Sequence, residues 1–309
     1  MKSLIKIALA AFVVILWSCS ETPQEKKDGK PFIVTTTGMI KDAVDNIVGD
    51  KATVKSMMGP GVDPHLYKAT QGDLSDLRAA DIVFYNGIFL EGKMETILEK
   101  LGKDKPVIAV GESIDKSRLL TVAGEEESGK TYDPHIWFDV KMWADVVAYI
   151  GQKLQKADPD NAETYKTNTA TYLEKLTELD NYVRSAIAQI PDSLNTLITS
   201  HDAFEYFGAA YDINVLGLQG VSTLAEFGLQ DRNKMVDLIL EKKVKAVFVE
   251  SSVSDKDLKA VISDCQAQGH DVKIGGTLFS DAIGEEGTIE GTYIGRIDHN
   301  IKTIVDALK

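Results

Sequence analysis

Residues 131–140 read TYDPHIWFDV, and inside them Asp133-Pro134-His135 repeats a tripeptide met earlier, Asp63-Pro64-His65 in the stretch GPGVDPHLY at 59–67. The chain has five histidines, at 65, 135, 201, 270 and 299, and two of them follow the same Asp-Pro pair. Proline fixes its own φ and pushes the preceding residue into extended backbone. Each copy is therefore a stiffened turn that holds an imidazole at a set angle. Neutral imidazole is a common ligand for zinc and other divalent metals. Taken singly, either copy reads as an ordinary Asp-Pro turn with a chance histidine behind it. The repeat, in a chain so poor in histidine, points to a metal site.

Around these turns the chain alternates β-branched apolar runs with helical stretches. Phe32 to Thr37 reads as a strand, followed by Gly38 and a helical pattern through Ile40, Val44, Ile47 and Val48. Further strands are expected at Val54 to Met58, Ile82 to Tyr85 and Pro106 to Val110, and in the second half at Thr196 to Thr199, Asn214 to Leu218, Ala246 to Val249 and Val272 to Ile274. A last helix is expected from Tyr293 to Leu308. The pattern predicts an α/β fold of parallel sheets with covering helices. Asp158 stands where a helix cap would, with Pro159 at the first helical position. Tyr165, Tyr172, Leu176, Leu179, Val183, Ile187 and Ile190 then recur at helical spacing with no glycine or proline before Pro191. This predicts one helix of about 30 residues, or roughly 45 Å. It divides the chain into an N-terminal lobe at 32–158, a linking helix at 159–190 and a C-terminal lobe at 191–309. The bland alternative is an amphipathic helix packed on one lobe.

Lys2 and Lys6 precede an apolar run from Ile7 to Trp17, too short for the ~20 residues of a membrane span and suited to an export signal. It leads to Leu16-Trp17-Ser18-Cys19, which resembles a bacterial lipobox. Cys19 is thus expected to be lipidated after residues 1–18 are removed, with 19–31 a flexible polar tether. An ordinary signal peptide with an incidental cysteine is the alternative. Losing two lysines takes the formal charge of the chain from −13 to −15. So acidic a surface disfavours nucleic acid and anionic lipid and weakly favours cations. The run GEEESGK at 124–130 reads as a solvated acidic loop, or as a collector of metal.

In open α/β sheets, ligands bind beyond the carboxyl ends of the strands. His65, His201, Glu250 and Asp281 each follow an expected strand, whereas no strand is evident before His135. Three imidazoles and one carboxylate make a plausible set of ligands for a borderline divalent cation. Ser200-His201-Asp202 is not a triad, because adjacent residues do not aim their side chains at one another. Cys265 and His270 are explained by a helix that ends at Gly269, and His299 by a structural place in the last helix. No HExxH motif and no phosphate-cradling glycine loop is present.

The stretches GPGVDPHLY, NGIFLEGKM, DPHIWFDVKMW, TSHDAFEYFGAAYDI, GLQGVST, VFVESSV and GGTLFSDAIG, with EGTYIG and HNI after them, occur in one order from about Phe32 onward. In these the chain resembles the cluster A-I (cluster 9) metal-binding solute-binding proteins of bacterial ABC transporters, close to the TroA-like zinc and manganese branch. The resemblance implies two α/β lobes joined by one long rigid helix, with one Zn²⁺ or Mn²⁺ in the cleft between them. It implies His65, His135, His201 and Asp281 as the ligands; Glu250, from its place after an expected strand, is a separate candidate for a carboxylate behind them. It further implies a monomeric, exported lipoprotein that delivers metal to a membrane permease. Two other classes remain at this point: a surface adhesin of the same family, and a zinc hydrolase with Glu250 as its general base.

Overall fold

A computed structural model describes residues 29–122, 132–224 and 227–309. The expected leader at 1–18, Cys19 and the acidic loop at 124–130 lie outside the described residues.

The first half of the chain runs β1 (Phe32–Thr35), α1 (Gly38–Val48), β2 (Thr53–Ser56), α2 (Gln71–Ala79), β3 (Ile82–Tyr85), α3 (Glu95–Leu101) and β4 (Val107–Ala109). The four strands form one parallel sheet in the order β2-β1-β3-β4. Both central strands are continuous apolar runs, FIVT and IVFY, because helices cover both faces of a parallel sheet. α4 (Val140–Ala157) and α5 (Ala162–Ile187) follow.

The second half continues with β5 (Thr196–His201), α6 (Glu205–Tyr211), β6 (Asn214–Gln219), α7 (Leu229–Lys242), β7 (Ala246–Glu250), α8 (Lys256–Ala267), β8 (Lys273–Leu278) and α9 (Tyr293–Leu308). All pairing here is also parallel, but it forms two two-stranded sheets, β5–β6 and β7–β8, which lie side by side. The architecture is the expected α/β arrangement of two lobes.

The long helix is shorter than the sequence predicts. Asp158 does not cap it: a 3-10 turn at Pro159–Asn161 intervenes, and the Asp158 carboxylate instead accepts from Asn161 Nδ2 at 2.8 Å and Tyr165 Oη at 2.7 Å. α5 has 26 residues, about 39 Å at 1.5 Å each. Nor does it stand alone, since α4 packs along it. Towards its start, Asn168 donates to Ile47 O of α1 at 2.9 Å, and Tyr172 donates to Asp42 Oδ2 at 2.7 Å. The same Asp42 oxygen accepts the Tyr293 N–H at the start of α9, at 3.2 Å. Towards its end, Arg184 donates to Ala210 O of α6 at 2.8 Å, and Tyr211 donates to Asp180 at 3.0 Å.

One apolar core therefore runs without a break from Ile33 beside α1, through α4 and α5, to Ile304 and Leu308 of α9. Trp143 of α4 stacks on Tyr293 of α9 with ring centroids 5.3 Å apart. Such a pair contributes about 0.5–1.5 kcal/mol beyond its buried area. A hinge needs positions that absorb changes in φ and ψ, and a helix packed along its length offers none. Metal binding should accordingly leave the radius of gyration nearly unchanged in small-angle scattering. A marked compaction on adding metal would contradict the rigid link.

Candidate metal centre

The four side chains come from four different places. His65 lies in the loop after β2, and His135 opens a 3-10 turn at Ile136–Phe138 with no strand before it. His201 is the last residue of β5, and Asp281 lies three residues past the end of β8. The structure brings all four together, each buried, with one nitrogen or oxygen of each lying within 4.8 Å of the others. His65 Nε2 and His135 Nε2 are 3.3 Å apart. Asp281 faces all three rings, with Oδ2 3.2 Å from His201 Nε2 and 3.6 Å from His65 Nε2, and Oδ1 3.5 Å from His135 Nε2. His201 Nε2 and both Asp281 oxygens are buried without a hydrogen-bond partner among the described residues. A group left in that state is costly unless something is bound to it. A cation at the centre would supply what is missing.

Behind the rings stand carboxylates. Asp133 Oδ1 is 2.6 Å from His135 Nδ1 and also accepts the His135 N–H at 2.9 Å. Glu250 Oε2 is 2.5 Å from His201 Nδ1, while Oε1 accepts the His201 N–H at 2.8 Å. With Nδ1–H given to a carboxylate, the lone pair of each ring is left on Nε2, facing the centre. In the first tripeptide, Asp63 Oδ1 accepts the His65 N–H at 2.8 Å and Oδ2 accepts from Thr223 Oγ1 at 2.6 Å. Local close packing makes room for this. A Cβ on Gly217 of β6 would collide with the backbone of Asp202, the residue after His201.

The field at the site is strongly negative. Burial opposes charge on Asp281, yet His201 first, then His135 and His65, hold its carboxyl below the ordinary range. Burial likewise opposes charge on His201, but Glu250 and then Asp281 raise its imidazole well above 6.5. Nearby, burial and the Asp202 and Asp133 charges push Glu205 up to about 7. Arg296 of α9 is a fully buried cation whose Nη1 donates to Ser280 O at 2.7 Å. Burial lowers it to about 10. Trp137 Nε1 donates to the same carbonyl at 3.0 Å, which ties the His135 segment to the Asp281 loop.

The other residues weighed from sequence fall elsewhere. His201 turns to Glu250 and Asp281, not to a triad with Ser200 and Asp202. Cys265 is buried and His270 Nε2 lies 2.6 Å from Val244 O, beyond a helix whose end is marked by Gly269 at φ 85°. His299 Nε2 lies 3.0 Å from Thr277 O. Sequence reasoning gave Asp133 only a part in a turn and gave Arg296 none. An acid two residues before each histidine was a signal for the first; a lone arginine in an apolar helix start was a weak signal for the second.

Comparison with known proteins follows this geometry. Residues 33–307 match the family described as ZnuA, zinc-uptake complex component A, periplasmic. The chain is 51% identical over 277 residues to the manganese-binding lipoprotein MntA of Bacillus subtilis, covering 90% of this chain and 89% of that one. It is 46% identical over 281 residues to the zinc-binding protein TroA of Treponema pallidum, covering 91% and 90%. The solved structure of periplasmic zinc-binding TroA from Treponema pallidum superposes with a TM-score of 0.88, covering 91% of this chain and 99% of that one at 45% identity.

Two outcomes are expected. Burial opposes charge on His201, but the Glu250 and Asp281 carboxylates raise its imidazole above the ordinary value and so favour a bound proton in the metal-free protein. That proton's contribution to stability is present in full below about 6.5 and fades as pH rises through the folded value. A metal on Nε2 must expel it, so binding near pH 7 should release about one proton or more and weaken as pH falls. Calorimetry in buffers of different ionisation enthalpy measures this, and an absence of proton release would contradict it. Secondly, Glu250→Gln should weaken metal binding about 10–100-fold, because Nδ1 loses a charged acceptor. An unchanged dissociation constant would remove Glu250 from the site.

Proposed function

The chain belongs to the ZnuA family of periplasmic zinc-uptake components, and on that premise we propose that it captures one divalent transition metal, Zn²⁺ or Mn²⁺, and hands it to an ABC-transporter permease for import. The observation that carries the reading is the buried set His65, His135, His201 and Asp281. We assign these four as the ligands, with Asp133 and Glu250 orienting His135 and His201. The lobes at 32–158 and 191–309 supply two ligands each, and 159–190 links them. By likeness to relatives named as lipoproteins, the protein is exported and anchored through Cys19; we further propose that it works as a monomer.

Two features favour binding over turnover. A zinc hydrolase needs a coordination position open to water and a general base. Asp281 takes the fourth place, and both oxygens of Glu250 are engaged by His201, so Glu250 is not free to act as that base.

The relatives' names divide between manganese and zinc, so the residues must decide the preference. Three imidazoles suit zinc, and a carboxylate that binds through one oxygen completes a tetrahedron. A carboxylate that binds through both oxygens raises the coordination number and suits manganese. Both Asp281 oxygens face imidazoles and neither is tied up elsewhere, so both modes are open. By the Irving–Williams order, zinc should displace manganese at equilibrium from a site that does not enforce geometry. Asp281→Ala should damage manganese binding more than zinc binding, by about tenfold or more, since zinc keeps three nitrogens and accepts a water. Competition titrations of wild type and variant, with metal content per chain by elemental analysis, test this. Manganese outcompeting zinc in the wild type would overturn the preference. Unchanged affinities in Asp281→Ala would overturn the ligand set.

A further inference from the structure

The stretch NGIFLEGKM at 86–94 supplies none of the four ligands, yet it contains a buried carboxylate with an unusual set of partners. Glu91 is 3% exposed. Its Oε1 accepts from Thr36 Oγ1 at 2.6 Å and from the Asn86 N–H at 2.7 Å, and its Oε2 accepts from the Gly87 N–H at 3.1 Å. Asn86, 1% exposed, reaches the other way. Its Nδ2 donates to Gly87 O at 3.1 Å and to Pro134 O at 3.0 Å. Both partners are carbonyls, so the amino side of the amide must face them. Pro134 is the residue immediately before His135.

The turn that carries this pair is strained and held shut. Ile88 and Phe89 both adopt left-handed backbone, at φ 52° and 61°, which β-branched and bulky residues rarely do. Gly111 lets the turn close: its N–H donates to Asn86 O at 2.9 Å, and a Cβ there would meet that same oxygen at 2.8 Å. Thr36, on the other side of Glu91, is bound to the base of the first histidine loop. Its carbonyl accepts the Met58 N–H at 3.0 Å, at the entry to the run that leads to Asp63-Pro64-His65. One carboxylate thus sits at the carboxyl end of the sheet, where both histidine loops of this half begin or are tethered. An apolar side chain would fill the space without the cost of burying a charge. What it would lack is the fixed hydrogen-bond geometry.

We infer that Glu91 and Asn86 are positioning residues for the metal ligands. Asn86 fixes the Pro134 carbonyl and with it His135. Glu91 fixes Asn86 and, through Thr36, steadies the base of the His65 loop. The imidazoles are thereby held in place before the metal arrives, and affinity rises because less ordering remains to be done on binding. This rests on the reading that His65 and His135 bind the metal.

The test uses Co²⁺ as the probe, because its visible absorption reports ligand geometry. Asn86→Ala removes the tether to Pro134 while leaving the backbone donors to Glu91. Glu91→Gln keeps the shape and loses an acceptor. Both should bind Co²⁺ about 10–100-fold more weakly and with displaced absorption bands, while the metal-free protein melts close to wild type. The inference falls if Asn86→Ala binds within about twofold of wild type with an unchanged spectrum. It also falls if affinity declines only in step with a lowered melting temperature and the bands stay in place, which is what a merely structural role predicts. Should Glu91→Gln fail to fold, Asn86→Ala decides alone. His135→Ala is the control: if it binds Co²⁺ like wild type, the metal-site reading itself is wrong, and this inference goes with it.

Discussion

The Asp281 carboxylate is fully buried, faces three imidazole nitrogens, and has neither oxygen hydrogen-bonded among the described residues. A carboxylate in that position has lost its water and faces three imidazoles in exchange. Its charge is held by the imidazoles alone, with His201 contributing most. The Glu250 and Asp281 carboxylates favour a proton on His201, and a metal bound among the four side chains would take over that counter-charge. The surrounding acids, Asp133, Asp202, Glu205 and Glu250, make any departure of positive charge unfavourable, and the buried Arg296 offsets part of their field. On the proposed function, metal capture would exchange one cation for another at a fixed, buried carboxylate.

The fold serves that exchange by fixing relative positions. The four clustered side chains come from both halves of the chain, and a soft joint between the halves would let their facing atoms drift. Here the joint is a pair of helices sunk in one continuous apolar core, pinned to α1 at one end and to α6 at the other. The segment after the second Asp-Pro is held at several carbonyls: Tyr206 Oη donates to Asp133 O at 2.9 Å, Asn86 to Pro134 O at 3.0 Å, and Tyr293 Oη to Trp137 O at 2.8 Å. Two of these donors come from the second half of the chain. His135 is therefore positioned as much by the C-terminal half as by the half that encodes it.

Much of this could be read in the residues, and the rest failed for identifiable reasons. Apolar β-branched runs located β1, β3 and β7 at their first residues, because a buried parallel strand has no polar face to blur the pattern. Strand ends were less legible. β1 stops at Thr35, not Thr37, because Thr36 turns its hydroxyl to Glu91 and Thr37 becomes the cap position of α1. β8 runs on through Gly275 and Gly276, which look like a turn. Gly275 is the extra residue of a bulge opposite Val247 and Phe248, and a Cβ on it would meet the Phe248 ring at 2.8 Å. The four residues that meet at the centre were all named from sequence, since histidine is scarce and each motif is local. Arg296 had only a weak signal, and Asn86 and Glu91 stood in NGIFLEGKM with no role attached: their partners lie dozens of residues away or are main-chain atoms, so no local pattern encodes what they do.

The most direct measurement of the central claim is X-ray absorption at the zinc edge of the protein loaded with one equivalent of metal. The structure predicts three imidazole nitrogens and one carboxylate, through one oxygen or two, at about 2.0–2.2 Å. Imidazole scattering from fewer than three rings, or a sulfur neighbour, would contradict a site made of His65, His135, His201 and Asp281.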